Sequence, residues 1–270
     1  MIKSKFLNID QTTLLHYETH IAGKDKEWVL MIHGAGGSIR TWKRQVEHFS
    51  KEYNLLIADL PGHGKSAEYS HEIPAYSFSI IASKVWELVD YLNIERVHLA
   101  GVSLGSIICI QIRDLFPDRI LSVTMPGAIV KLNTKLKVLA SLSLGLAKII
   151  GYRNFYNLSA RIMLPRKNHK TSRDVFIRES KALTIQEFKK WTALYYNLNK
   201  TLRSFFKSYS NIPHLIIMGD QDHLFLSPAR EYSKHHDNSQ IHVLENCGHV
   251  VSIERSKEFN DYYLQFLRSI

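Results

Sequence analysis

Val97-His98-Leu99-Ala100-Gly101-Val102-Ser103-Leu104-Gly105-Ser106 runs from a β-branched, apolar segment into Gly-x-Ser-x-Gly, and the apolar residues Ile107 to Phe116 follow at helical spacing. Strand, sharp turn and helix in that order form the setting in which a serine becomes a nucleophile. The turn demands a strained backbone at Ser103, and small residues at 101 and 105 let strand and helix approach closely enough to make it. Such a turn holds the hydroxyl out at the carboxyl end of a sheet, beside a helix amino terminus whose N–H groups point at developing negative charge.

The flanking segments extend this pattern. Trp28-Val29-Leu30-Met31-Ile32, Tyr53 to Ala58, Ile120 to Met125 and His214-Leu215-Ile216-Ile217-Met218 are apolar runs without alternation, as expected of strands buried on both faces of a parallel sheet. Thr41 to Phe49, Ser77 to Leu92, Pro228 to His235 and Glu254 to Leu267 carry helical spacing, and Ile241 to Leu244 reads as a last strand. Phe6 to Ile9 and Leu14 to Tyr17 read as two short strands around the polar turn Asp10-Gln11-Thr12. The expected fold class is α/β: a mostly parallel, twisted central sheet with helices on both faces.

The alternation stops after the sixth strand and resumes at Pro213. The intervening residues read as helices over Lys135 to Ile150, Asn154 to Met163, Arg173 to Leu183 and Ile185 to Phe206. This divides the chain into a core, 1–125 and 211–270, with a helical cap at 126–210 inserted after the sixth strand. The first cap helix is apolar on most sides and needs cover; Leu139, Leu142 and Leu146 are its candidate substrate-binding residues.

A chain of 270 residues, 45% hydrophobic, can bury a full core, which excludes a disordered protein. Two cysteines, Cys109 and Cys247, exclude a disulfide framework and suit a reducing compartment. The stretch MIKSKFLNID lacks an apolar signal core, and no segment reaches the roughly 18 apolar residues of a spanning helix. The expectation is a cytoplasmic protein. The net charge of +10 is uneven: residues 126–210 hold 17 Lys and Arg against 3 Asp and Glu, and the remainder holds 18 against 22. A basic block of this kind is a solvated face, a lure for anionic substrates, or a surface for transient contact with an anionic membrane. No nucleic-acid motif accompanies it, so nucleic acid is not an expected partner.

Loops that follow the strands of an open parallel sheet converge on one edge. Ser103, the glycine loop His33-Gly34-Ala35-Gly36-Gly37-Ser38, Asp222 and His249 all follow expected strands and should meet there. The Gly64-Lys65-Ser66 tripeptide is not a phosphate loop, because the required upstream glycine falls at Asp59. His33 and His63 read as turn-stabilising. Asp220 competes with Asp222 for an acidic role, and Cys247 reads as packing.

On His33 to Ser38, Asp59-Leu60-Pro61-Gly62-His63-Gly64-Lys65-Ser66, Gly101 to Gly105, Gly219-Asp220-Gln221-Asp222 and Cys247-Gly248-His249, the chain resembles the α/β-hydrolase superfamily. The resemblance is to its serine-nucleophile, cap-bearing branch of carboxylesterases and lipase-like enzymes, and it covers nearly the whole chain outside the cap. It implies Ser103 as nucleophile, Asp222 as acid, His249 as base, and the backbone N–H groups of Ala35 and Leu104 as an oxyanion hole. A serine at the elbow points to acyl chemistry, since members with aspartate there displace at sp³ carbon. The expected activity is hydrolysis of carboxylic esters of small to medium aliphatic acyl chains through an acyl-enzyme, a cycle that needs no metal and no cofactor. Two readings compete with it. One is a carbon–carbon hydrolase or lyase acting on an anionic small molecule, and the other a ligand-binding or membrane-associated protein of the same fold with little turnover.

Overall fold

The computed structural model describes residues 2–8, 14–68, 73–132, 146, 147 and 149–270. Eight strands form one sheet in the order β1-β2-β4-β3-β5-β6-β7-β8. They are β1 (Ile2–Asn8), β2 (Leu14–His20), β3 (Trp28–Ile32), β4 (Asn54–Ala58), β5 (Val97–Gly101), β6 (Ile120–Pro126), β7 (His214–Gly219) and β8 (Ser239–Leu244). Only β2 runs against its neighbours β1 and β4; all other adjacent pairs are parallel. The expected α/β class and its mostly parallel sheet are therefore present.

The unbroken apolar runs are explained by burial on both faces. Successive strand side chains alternate between two cores. Leu30, Ile32, Leu56, Leu99 and Val123 face one, beneath helices Phe78–Tyr91, Leu104–Leu115 and Leu226–His235. Val29, Met31, Leu55, Ile57 and Ala100 face the other, beneath helices Lys43–Phe49 and Ser256–Leu267. Register then sets the site. Ile32 pairs with both Ala58 and Gly101, so the loops after β3, β4 and β5 leave the sheet side by side, next to the point where strand order reverses.

Three helices differ from their expected form. The one expected from Thr41 is entered by a 3-10 turn, Ile39–Trp42, because the Ser38 hydroxyl caps it by accepting the Arg40 N–H at 3.2 Å. The one expected over 185–206 is two, Ile185–Ala193 and Tyr195–Lys207. Phe188 and Trp191 are buried in the first piece and Leu198, Leu202 and Phe205 in the second, all in the same core. The closing helix expected over 254–267 begins at Ser256, after a separate short helix, Val251–Glu254, whose Glu254 carboxylate accepts the Gly248 N–H at 2.6 Å. Between β6 and β7 the described residues form helices, including Tyr152–Met163 and Lys170–Glu179, and no strand. Most of the helix expected over 135–150, with Leu139 and Leu142, lies outside the described residues. No helix among the described residues is long and apolar enough to cross a membrane.

Candidate active site

Ser103 sits at φ 54°, ψ −115°, outside the regions open to ordinary residues, as the cap of helix Leu104–Leu115. A backbone of this kind stores about 1–3 kcal/mol and persists only where its surroundings fix it. They do so here through hydrogen bonds to both adjacent strands: Val102 N–H to Ile32 O at 3.1 Å and Ser103 N–H to Pro126 O at 3.1 Å. The flanking glycines are required by contact. A Cβ on Gly105 would stand 2.5 Å from Ile32 O, and one on Gly101 would collide with the Gly105 carbonyl and with Cys109 Sγ.

The structure brings Ser103, His249 and Asp222 together. His249 Nε2 lies 2.9 Å from Ser103 Oγ, and His249 Nδ1 lies 2.7 Å from Asp222 Oδ2. All three side chains are buried. The other oxygen of Asp222, Oδ1, accepts the backbone N–H groups of Phe225 at 3.0 Å and Leu224 at 3.3 Å. Burial works to raise the Asp222 pKa, but the imidazole and these N–H donors outweigh it and hold the carboxyl below its ordinary value. Because a carboxylate at Oδ2 only accepts, Nδ1 of His249 carries the proton, and Nε2 is free to accept from the Ser103 hydroxyl.

Asp220 takes no part in this relay. It is exposed, and its Oδ1 accepts the Cys247 N–H at 3.0 Å, pinning the loop that carries His249. The Gln221 N–H bonds Cys247 O at 2.9 Å, and Glu254 braces Gly248, so the imidazole is located from both sides. Cys247 is fully buried, and burial pushes its thiol well above the usual range, which leaves it inert as a nucleophile.

The glycine loop after β3 is held by two buried histidines. His33 donates Nδ1–H to Gly34 O at 2.8 Å and accepts the Leu60 N–H on Nε2 at 3.0 Å. His63 donates Nδ1–H to Pro61 O at 3.0 Å and accepts the Gly36 N–H on Nε2 at 3.0 Å. Both are therefore neutral; burial lowers the pKa of each, that of His63 to about 3. Their work is structural: they tie the loop after β3 to the loop after β4 and turn Gly34 and Ala35 toward Ser103. A Cβ on Gly34 would lie 3.1 Å from Val102 O and 3.2 Å from Ser103 Cβ, a tight contact that brings the loop close against the nucleophile. The backbone N–H groups of Ala35 and Leu104 make no hydrogen bond among the described residues, and both residues line the cavity at Ser103.

That cavity encloses 190 Å³ and is bounded by aromatic and aliphatic side chains, among them Ile107, Tyr156, Phe188, Trp191, Leu198 and Phe225. No Lys, Arg, Asp or Glu lines it among the described residues. A smaller recess of 40 Å³ opens on the other side of Ser103 and His249, against Ser172, Val175 and Glu179. Leu146 is half-buried and does not line the cavity. Phe188 and Trp191 do, and in the sequence only their i, i+3 spacing marks them as one helix face. The Trp191 indole donates to Pro61 O at 3.0 Å, and Tyr76 and Lys190 bond the Glu187 carboxylate. Among the described residues no three His, Cys, Asp or Glu side chains gather as a metal site.

The sheet order, the strained serine and the histidine loop after β8 define an α/β-hydrolase fold. A family model described as the alpha/beta hydrolase fold matches residues 27–141. Among curated relatives, it is 24% identical over 263 residues to the dihydrolipoyllysine-residue acetyltransferase component of the acetoin cleaving system of Pseudomonas putida. That match covers 92% of this chain and 65% of the relative, and the chain spans still less of the next two curated relatives, 46% and 27%. It is 24% identical to the 2-hydroxy-6-oxononadienedioate/2-hydroxy-6-oxononatrienedioate hydrolase of Klebsiella pneumoniae, over 98% of this chain and 95% of the relative. Among solved structures, one from a study of the carboxylesterases of Nitrososphaera gargenis superposes with a TM-score of 0.78 at 20% identity, covering 98% of each chain. At that identity the likeness establishes the fold.

Proposed function

We propose that this protein is a serine hydrolase of carboxylic esters whose acyl groups are neutral and apolar. The observation that carries this reading is a Ser103–His249–Asp222 hydrogen-bond relay opening into a cavity lined by uncharged, largely aromatic side chains. In the proposed cycle His249 Nε2 takes the Ser103 proton as Oγ attacks the ester carbonyl. Asp222 stabilises the imidazolium, and the Ala35 and Leu104 N–H groups receive the oxyanion. The alcohol leaves with the proton from His249, and water, deprotonated by the same imidazole, releases the acid. Residues 126–210 act as the cap, with Phe188, Trp191 and Leu198 forming the acyl-binding wall.

A second reading, cleavage of a carbon–carbon bond in an anionic diketone, is favoured by the dioate hydrolase relative. A dicarboxylate buried in this cavity would meet no cation among the described lining residues, which weighs against it. Hydrolysis of p-nitrophenyl esters from acetate to laurate, with Ser103→Ala in parallel, tests the choice. The ester reading expects a chain-length optimum that vanishes in the variant. Turnover of a dioate diketone with negligible ester hydrolysis would replace it with the second reading.

A further inference from the structure

The described Lys and Arg side chains of residues 126–210 do not enter the cavity. None of the described cavity-lining residues is Lys or Arg, so the charge lies on the outside of the helices that build the cavity wall. Helix Tyr195–Lys207 buries Leu198, Leu202 and Phe205 and exposes Tyr196, Lys200, Arg203 and Lys207 along the opposite stripe. Tyr196 is 81% exposed. Helix Tyr152–Met163, the other wall, buries Tyr156 and Ala160 and exposes Arg153, Leu158 and Arg161. No acidic residue occurs from 132 to 173 or from 188 to 219, and Lys200, Arg203 and Lys207 have no carboxylate partner among the described residues.

We infer that this outer face docks on an anionic lipid bilayer. The remainder of the chain carries a balance of −4 against +14 for residues 126–210, so a negative surface orients the molecule with these helices toward it. Basic side chains interleaved with exposed Tyr and Leu suit a bilayer interface, where the cations meet lipid phosphates and the amphipathic rings sit at headgroup depth. Tyr195 lines the cavity and is also 43% exposed, which puts part of the cavity rim on the docking face. An apolar ester dissolved in the bilayer then reaches Ser103 without crossing bulk water. Only this last consequence rests on the proposed esterase activity; the docking does not.

The test is co-sedimentation with phosphatidylcholine vesicles with and without phosphatidylglycerol, at low and high salt. The wild type is expected to bind only the anionic vesicles and to be released by salt. Each basic residue near the surface strengthens partitioning about fivefold, so Lys200→Gln, Arg203→Gln and Lys207→Gln together should weaken it about a hundredfold. Hydrolysis of a soluble ester should be unchanged in that variant, and its circular dichroism checks the fold. Arg153→Gln with Arg161→Gln should weaken binding through the second helix. Absence of binding to anionic vesicles at low salt, or equal binding by the triple variant, would overturn the inference. Duplex DNA of equal phosphate content displacing the protein from vesicles would reassign the face to nucleic acid and overturn it too.

Discussion

Replacing Asp222 by asparagine changes one atom, and the structure dictates which way the new amide faces. Oδ1 of Asp222 is held by two backbone N–H donors, from Phe225 and Leu224, so the amide oxygen must stay there. The NH2 group is then forced onto the position that Oδ2 occupies, 2.7 Å from His249 Nδ1. Two donors cannot face each other, so His249 moves its proton to Nε2, the nitrogen 2.9 Å from Ser103 Oγ. The imidazole is then protonated where it must accept. A wrong tautomer of this kind costs serine hydrolases about 10⁴ in kcat, equivalent to about 5.5 kcal/mol of barrier. KM should change little, because Asp222 does not line the cavity. Steady-state hydrolysis of a p-nitrophenyl ester by Asp222→Asn and Asp220→Asn measures the effect. A loss below tenfold in Asp222→Asn, or a larger loss in Asp220→Asn, would refute the relay.

Further predictions follow from packing and from buried titrating groups. Gly105→Ala drives a Cβ to 2.5 Å from Ile32 O and should lower stability by about 3 kcal/mol, whereas Gly23→Ala meets only the flexible Lys26 side chain and should be neutral; urea unfolding of the pair checks both. His63 is neutral when folded, with its pKa lowered to about 3, while the unfolded chain protonates near 6.5. The unfolded state then binds the extra proton, so stability should fall by about 1.4 kcal/mol per pH unit for this group as pH drops from about 6.5 toward 3. A flat urea midpoint between pH 6.5 and 4.5 would contradict it. Asp59 acts with the same sign, through a carboxyl instead of an imidazole. Burial would raise its pKa, but His16 and the N–H groups of Ile39 and Lys65 hold it below the ordinary carboxylate value. Its contribution is present above that value and lost as pH falls through the lower folded value, so Asp59→Asn should flatten the acid limb of the same curve. Trp191→Phe removes the indole bond to Pro61 O while keeping an apolar wall, and should raise KM for long acyl esters more than for acetate.

The parts of this molecule with one dominant physical cause were legible in the sequence. Val29 to Ile32 and Leu215 to Met218 are apolar at every position because both faces are buried, and the elbow glycines announce a contact that no side chain survives. The resemblance to the hydrolase family favours Asp222 over Asp220, and the structure places Asp222, not Asp220, against His249. What the sequence did not reveal depends on tertiary choice. The break at Leu194 leaves propensity and period intact, with α-helical dihedrals at Leu194 itself, so no residue in the sequence marks it. The cavity wall escaped for the same reason: Phe188 and Trp191 share one helix while Phe225 comes from the loop after β7, and helical spacing cannot say which apolar face looks into a cavity rather than into a core.

The proposed cycle requires Ser103 to be an activated nucleophile. Mass spectrometry after treatment with a fluorophosphonate tests it without assuming a substrate. One adduct is expected, on the peptide containing Ser103, with formation slowed by several powers of ten in His249→Ala and absent in Ser103→Ala. No adduct on the wild type, or an adduct on another serine that persists in Ser103→Ala, would contradict it.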